Sequence, residues 1–351
     1  MPATINRMHN MAKRPCGCYQ LLSVPDGTQR RKQNVGIDCL CTGILFSDVV
    51  CSPVDHAPNE GELVAPERIE LSLGGCASNA ALDLARLGVN VGVAGCVGQD
   101  VFGQFIIDRL ARGGANVGGI HKLSGIHTAC TMVINVKGQD RRFIASPGAN
   151  TRFTVDHIPP QWVQEAKVLY IGGYLMLLAL ETEEMVDLLR TARAAGTKTL
   201  LDVVGMGGRE SFDRVALMLP EIDVFLPNDD EGAALTGLSD PLEQAQRFRD
   251  AGAKTVVITQ GDRGSLLVGD GLRLRCGVYP TEFVGGTGSG DAFDAGYVAG
   301  LLAGEDPAGC LRWGAALGAS CVRSINATDS VFNRQEAEAF MRQHTLEIEA
   351  F

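Results

Sequence analysis

Residues 284–296 read VGGTGSGDAFDAG: five glycines, Thr287, Ser289 and two aspartates, directly ahead of the apolar run AGYVAGLLAG. Glycine lets the backbone turn sharply and lets another group come close to it. If the apolar run is a helix, the free N–H groups at its start converge on one point and favour negative charge, the usual reason a phosphate settles there. The free amides at the start of that helix would then form an anion site. Beside them, the carboxylate of Asp291 could take a proton from a hydroxyl attacking phosphorus. A plainer reading makes Asp291 a first-turn acid that complements the helix dipole after a tight bend. Asp294, one turn further on, is expected to be a dipole partner of that kind.

A loop of this type works only if a scaffold holds it. From residue 35 onward, short runs of Val, Ile and Leu alternate with stretches of helical period, the pattern of an α/β chain. Strands are expected at IDCLCTG from 37, VGVAGCV from 91, KVLYIGG from 167, KTLLDVV from 198, DVFLPN from 223 and TVVITQG from 255. Most are apolar on both faces, as buried parallel strands are. A helix is expected over 77–88, with Ala81, Leu84, Ala85 and Leu87 on one face and Gly88 as its stop; others are expected over 181–195 and 241–252. Residues 48–73 and 127–145 break the alternation. In the second, TACTMVINVKGQDRRFIAS reads as two strands joined by a turn at 137–140. These pieces form either a small sheet over a site or an exposed hairpin.

Residues 1–34 hold six Lys or Arg against one acid, Asp26, with no sustained apolar period, and are expected to be a disordered extension rather than a transit peptide. Residues 35–351 remain for the folded domain. The chain has 351 residues, 45% hydrophobic and 21% charged, enough for a large core. Its net charge of −10 argues against a nucleic-acid or anionic-membrane partner, because phosphate backbones are bound by accumulated Lys and Arg. No eighteen-residue apolar window suggests a membrane span. The eleven cysteines are scattered and lack a C-x-x-C pair, which fits reduced thiols in a cytoplasmic setting. Cys16 with Cys18, and Cys39 with Cys41, have the wrong spacing for a zinc knuckle. Neither a P-loop nor a dinucleotide fingerprint is present, which argues against a nicotinamide oxidoreductase.

Three motifs taken in order, GGCASNAALDLARLG from 74, PNDDEGAALTG from 227 and GTGSGDAFDAG from 286, resemble the ribokinase (PfkB) family of carbohydrate kinases over nearly all of residues 35–331. The resemblance implies a three-layer α/β/α sandwich with a mostly parallel central sheet and a small β-sheet lid formed by the two interrupting segments. It also implies ATP, Mg²⁺ and a small-molecule sugar substrate. Asp291, in the family's G-x-G-D, would be the catalytic base, with Gly288, Ser289 and Gly290 as the anion hole; positioning and charge neutralisation supply most of the catalysis in phosphoryl transfer. Asp48 in GILFSD matches the acid that grips sugar hydroxyls, since a carboxylate accepts two such bonds. Gly74, Gly75 and Asn79 match G-G-x-x-x-N, in which small residues admit the sugar and the amide reads a hydroxyl. Without the resemblance, Asn79 reads as a helix cap.

Asn228 and Glu231 match N-x-x-E, which organises Mg²⁺ and the nucleotide phosphates, often through water. Of Asp229 and Asp230 between them, one or both are expected to be solvated charges at a helix start. Thr259, Gly261 and Gly264 in TQGDRG match the turn that lines the ATP phosphates, while Gly98, Asp100 and Gly103 are assigned to structure. The chain also departs from the family. Gly285 stands where an acid associated with a monovalent-cation site is frequent, which argues against potassium activation. Gly314 stands where the adenine-side helix often has Asn. DVVGMGG lacks the Asn and Arg of many fructokinase-like members. The lid would close over the sugar and could serve as a homodimer contact; Arg141 and Arg142 at its turn are expected in solvent. The reading is ATP-dependent phosphorylation of a hydroxymethyl group of a monosaccharide or sugar acid. Its alternatives are a nucleoside kinase of the same family and a sugar-binding regulator without catalysis.

Overall fold

The runs that are apolar on both faces become the centre of a large sheet, because only a strand covered on both sides can bury such a sequence. The computed structural model describes residues 36–351 apart from Asp140, Glu181, Met206 and Gly207, so the extension expected at 1–34 lies outside the described residues. The strands are β1 (Cys39–Gly43), β2 (Phe46–Cys51), β3 (Ile69–Gly74), β4 (Val91–Gly98), β5 (Asn116–Leu123), β6 (Cys130–Ile134), β7 (Arg142–Ser146), β8 (Val168–Gly172), β9 (Lys198–Leu201), β10 (Val224–Phe225), β11 (Thr255–Thr259), β12 (Ser265–Gly269), β13 (Leu272–Cys276) and β14 (Ile348–Ala350). The helices are α1 (Cys76–Arg86), α2 (Val101–Arg112), α3 (Pro160–Glu165), α4 (Thr182–Ala194), α5 (Arg209–Met218), α6 (Asp229–Thr236), α7 (Pro241–Asp250), α8 (Ser289–Ala303), α9 (Pro307–Cys321) and α10 (Arg334–Gln343).

The large sheet runs β14-β13-β12-β11-β10-β9-β8-β1-β4-β5, parallel from β11 to β5 and antiparallel beyond β11. Side chains alternate across it. Tyr170 enters a core with Leu84, Val93, Phe293 and Leu317, while its neighbours Leu169 and Ile171 enter a second core with Leu189, Phe225 and Phe248. The first core is closed by helices that include α1, α8 and α9, the second by helices that include α4, α5 and α7. Strand β1 lies between β4 and β8, so the chain builds the sheet first one way and then the other from this point. In open α/β sheets, the crevice at the carboxyl ends of such a pair is where ligands bind.

A second sheet, β3-β2-β6-β7, is the expected lid, and its strands lie within a few residues of the two interrupting segments. Its register sorts the side chains by chemistry. Asp48 pairs with Ser72 and Thr131, and Thr131 with Ala145, on one face. Val49 pairs with Leu71 and Met132, and Met132 with Ile144, on the other. On that apolar face Leu71, Met132 and Ile144 are exposed.

All six expected strands and all three expected helices are present. The polar-looking β5, the β12–β13 hairpin and the three-residue β14 are additions that the apolar pattern does not announce. Gly296 is a packing residue: a Cβ there would lie 2.4 Å from the carbonyl oxygen of Trp313, so α8 and α9 approach each other backbone to backbone.

Candidate active site

The glycine loop ends where α8 begins. Gly288 caps the helix with φ of 79°, and a Cβ there would also press on Ala327 at 2.5 Å, so conformation and space both demand glycine. Ser289 closes the bend through its hydroxyl, which donates to the Gly286 carbonyl at 3.0 Å. Gly290 differs: its missing side chain would face open space, and the residue is exposed. Asp291 follows in the first turn of α8, half-buried. Its Oδ2 accepts a hydrogen bond of 2.7 Å from the Asn79 amide.

Asn79 therefore does not cap α1. It sits buried inside that helix, one turn after the Gly75 cap, and holds the carboxylate of a residue 212 positions away. Gly75 caps α1 with φ of 88°, and a Cβ there would meet the Ile44 carbonyl oxygen at 2.6 Å. Gly74 has a different reason: a Cβ there would sit 2.2 Å from the Asp48 carboxylate. The G-G pair thus brings the start of α1 against the β1–β2 connection and makes room for an acid.

Asp48 lies buried on β2, its carboxyl pushed up to about 7 by burial and by the charge of Asp291, against the pull of a hydrogen bond with Thr131. Asp291 is raised by burial, opposed by hydrogen bonds with Asn79 and Cys76. Asp294 is not a dipole partner. It is buried, accepts a 2.9 Å hydrogen bond from the Tyr170 hydroxyl, and is raised by burial and by Asp202 and Asp291. The physical reason is that α8 is apolar all round and has no wet face to offer a second-turn acid.

Asn228 and Glu231 form a reciprocal cap at the start of α6. The Glu231 amide donates to Asn228 Oδ1 at 2.8 Å, and the Asn228 amide donates to Glu231 Oε2 at 2.9 Å. Glu231 is pushed up to about 7 by burial, with the charges of Asp291 and Asp230 adding to it and its bond with the Asn228 amide opposing. Thr259 bridges to Asn228 at the end of β11, and its amide donates to Pro227 at 3.1 Å, so the two nucleotide-side motifs form one unit. In the following turn Gly264 is packed against the Cys276 carbonyl, whereas a Cβ at Gly261 would meet open space. Asp230 is exposed as expected, but Asp229 is paired with Arg263. Gly98, Asp100 and Gly103 are structural: Asp100 caps α2 through the Gly103 amide at 2.8 Å and binds Thr128.

Two charged side chains of the lid reach the body. The Glu70 carboxylate accepts a 2.8 Å bond from Asn326, and the Arg141 guanidinium nitrogen lies 2.7 Å from where a Cβ of Gly286 would be. Arg141 is thus not free in solvent, in contrast to Arg142, which is exposed. Gly286 is small where that arginine arrives.

This arrangement joins an acid on a helix N-terminus, a buried amide that orients it, and a lid acid, all at the switch point of a parallel sheet. Residues 37–334 match the pfkB family of carbohydrate kinases. The chain belongs to the PfkB family. It is 27% identical over 284 residues to a 5-dehydro-2-deoxygluconokinase of Clostridium perfringens, covering 77% of this chain and 84% of that one. It is also 27% identical to the ribokinase of Haemophilus influenzae, covering 85% and 96%. Its fold matches a putative ribokinase II from E. coli in complex with ATP and Mg²⁺, with a TM-score of 0.73, 22% identity and coverage of 88% and 100%. The PfkB chain described here is a carbohydrate kinase with the ribokinase-like fold.

Two residues of this PfkB site escaped the sequence reading. Asp202 follows β9 at the carboxyl edge of the sheet, buried, its Oδ2 accepting from the Gly173 amide at 2.9 Å. Cys76 opens α1, with its sulfur within 4.8 Å of oxygens of both Asp202 and Asp291. A charge directly after an apolar strand was the available signal for Asp202. Nothing local distinguishes Cys76.

Gly288→Ala is expected to lower the thermal midpoint clearly, through φ and the Ala327 contact. Gly290→Ala should leave the midpoint within about 2 °C, since surface changes without a clash stay near ±0.5 kcal/mol, yet reduce turnover. Equal destabilisation by both would refute the distinction between a structural and a ligand-facing glycine. For Asp48, the sign follows from its raised carboxyl. Ionising it opposes folding, so the stability it contributes below the unfolded value of 3.8 is lost as pH rises through about 7. Asp48→Asn should therefore melt higher than wild type at pH 8, with the gap shrinking between pH 7 and 4. A gap that does not change with pH would contradict this assignment.

Proposed function

We propose that this carbohydrate kinase transfers the γ-phosphoryl group of ATP to a hydroxymethyl group of a monosaccharide or sugar acid, with Asp291 as the base. The observation that carries the reading is the 2.7 Å hydrogen bond from Asn79, which fixes Asp291 beside the open N-terminus of α8. Asp291 takes the hydroxyl proton as that oxygen forms its bond to phosphorus, and the bond from phosphorus to the β–γ bridging oxygen breaks to release ADP. The amides at Gly288 and Gly290 face the charge on the transferring group, while the Ser289 amide is bonded to the Gly286 carbonyl at 3.3 Å and would have to leave it to join them. Asp48 accepts from sugar hydroxyls across the site, and the lid keeps water from acting as the acceptor.

Glu231 fits a role toward Mg²⁺. It is a hard oxygen donor whose charge is crowded by Asp291 and Asp230, and the Asn228 amide engages only its Oε2. When bound, the ion would supply neutralisation of phosphate charge. Thr259, Gly261 and Gly264 line the nucleotide phosphates in this reading, with Asn228 fixing their position against α6. Gly285 stands where the acid of a monovalent-cation site is frequent, so potassium dependence is not part of the proposal.

The names of the relatives make a gluconate-type acid and ribose the first acceptors to compare. A screen of ADP release over hexoses, pentoses, keto sugar acids and nucleosides tests the reading. Asp291→Asn should reduce turnover on the best acceptor by at least about 10²-fold, the usual share of a positioned base. Full activity in that variant removes Asp291 as base. Tight sugar binding with no transfer by wild type selects the regulator instead.

The lid's outer face supports a homodimer. Leu71, Met132 and Ile144 form an exposed apolar row on registered strands, which a second copy of the same sheet could cover. Sedimentation should give a dimer for wild type and a monomer for Met132→Lys combined with Ile144→Lys. A dimer that survives both charges places the contact elsewhere.

A further inference from the structure

One connection touches both the lid and the glycine loop. It joins α9 to α10 over residues 322–333, and within it Asn326 is buried along with Ala327 and Thr328. The Asn326 side-chain amide donates to Glu70 Oε1 on β3 and to Asp329 Oδ2, both at 2.8 Å. Glu70 meets Arg68 at 3.1 Å and Asp329 meets Arg109 at 3.2 Å, so each acid has its own cation while the two share one amide. Glu70 lies two residues before Ser72, the strand partner of Asp48, and therefore on the face of the lid that carries Asp48. Its bond to Asn326 ties that face to the body across 256 positions of sequence.

The residues on either side of Asn326 hold the glycine loop. A Cβ on Gly288 would lie 2.5 Å from the Ala327 Cβ, and a Cβ on Gly285 would lie 3.0 Å from the Ser324 carbonyl oxygen, so the two segments touch directly. The Cys321 thiol, where the connection begins, is within hydrogen-bonding distance of one carbonyl from each segment, Ala327 at 3.0 Å and Thr287 at 3.3 Å. Arg86 of α1 donates to the Thr328 and Val331 carbonyls. Close-packed contacts transmit displacement rather than absorb it. A movement of Asn326 with the lid thus carries over to Gly285 and Gly288.

We propose that Glu70 and Asn326 are positioning residues that couple the lid to the glycine loop. While the lid is bonded to Asn326, residues 324–328 are held against Gly285 and Gly288, and a phosphate seated on the glycine loop holds the lid down in return. Such coupling is reciprocal: nucleotide favours the closed lid by the factor by which the closed lid favours nucleotide. That consequence rests on the glycine loop facing nucleotide phosphate, as in the proposed reaction.

The test needs no sugar. MgADP binding to the full chain is measured by calorimetry, and hydrogen exchange of the β3 amides, residues 69–74, is followed with and without saturating MgADP. In wild type MgADP should slow that exchange by at least about fivefold, the low end of usual coupling between sites. Glu70→Ala should bind MgADP more weakly by a similar factor, and its β3 amides should exchange alike in both conditions. A merely structural loss would speed β3 exchange equally with and without MgADP and leave the MgADP effect in place, a result that overturns the coupling. Asn326→Asp, which sets a carboxylate against Glu70, should show the same loss from the body side and decides the matter if Glu70→Ala does not fold. Saturating MgADP without effect on β3 of wild type also overturns it, and an effect that survives both variants moves the coupling to Arg141 at Gly286. No MgADP binding at all by wild type removes the nucleotide reading itself, and the coupling with it.

Discussion

Carboxylates that repel one another hold the key to this molecule. Asp48, Asp202, Asp291, Asp294 and Glu231 are each raised above the usual carboxylate range, burial being the largest cause in every case. A protein does not gather buried negative charge for stability, because each ionised acid opposes folding there. The rest of the fold compensates: Asn79, Tyr170, Thr131 and the Gly173 and Asn228 amides donate to these acids, and two apolar cores clamp the strands and helices that carry them. Such crowding suits a site that takes up a proton and attracts a cation, the proton being what an acceptor hydroxyl loses and the cation what neutralises phosphate charge.

The glycines divide on the same principle. Gly74, Gly75, Gly288 and Gly296 are small because a neighbour in the protein occupies the space: Asp48, Ile44, Ala327 and Trp313 respectively. At Gly261 and Gly290 a Cβ would meet nothing. Gly261 still answers to the backbone, with φ of 60°, whereas Gly290 has no such reason inside the protein; both fall in segments that face phosphate in the proposed reaction. Gly286 is intermediate, its space taken by Arg141 from the lid.

Much of the site was legible beforehand because its parts are short motifs with local causes. A helix N-terminus with glycines, a capping pair three residues apart and a small-residue turn each leave a pattern within a dozen residues. The readings that failed were those that assumed local partners. Asn79 looked like a cap and is instead tied to Asp291; Asp294 looked like a dipole partner and is buried against Tyr170; Arg141 looked solvated and meets Gly286. Asp202 and Cys76 passed unnoticed because their significance lies wholly in what β9 and α1 are placed beside.

By itself the sequence determined the α/β class, the order of the buried strands, the lid segments and the positions of Asp48, Asn79, Glu231 and Asp291, since periodicity and spacing are written along the chain. Only the tertiary structure decided that Asp291 is held by Asn79, that Asp48 shares its field, that the lid shows one polar and one apolar face, and that Cys76 and Asp202 converge on the proposed base. The reason is physical: hydrogen bonds, repulsion and burial act through space over a few ångströms, and sequence separation says nothing about that distance until the strands and helices have packed.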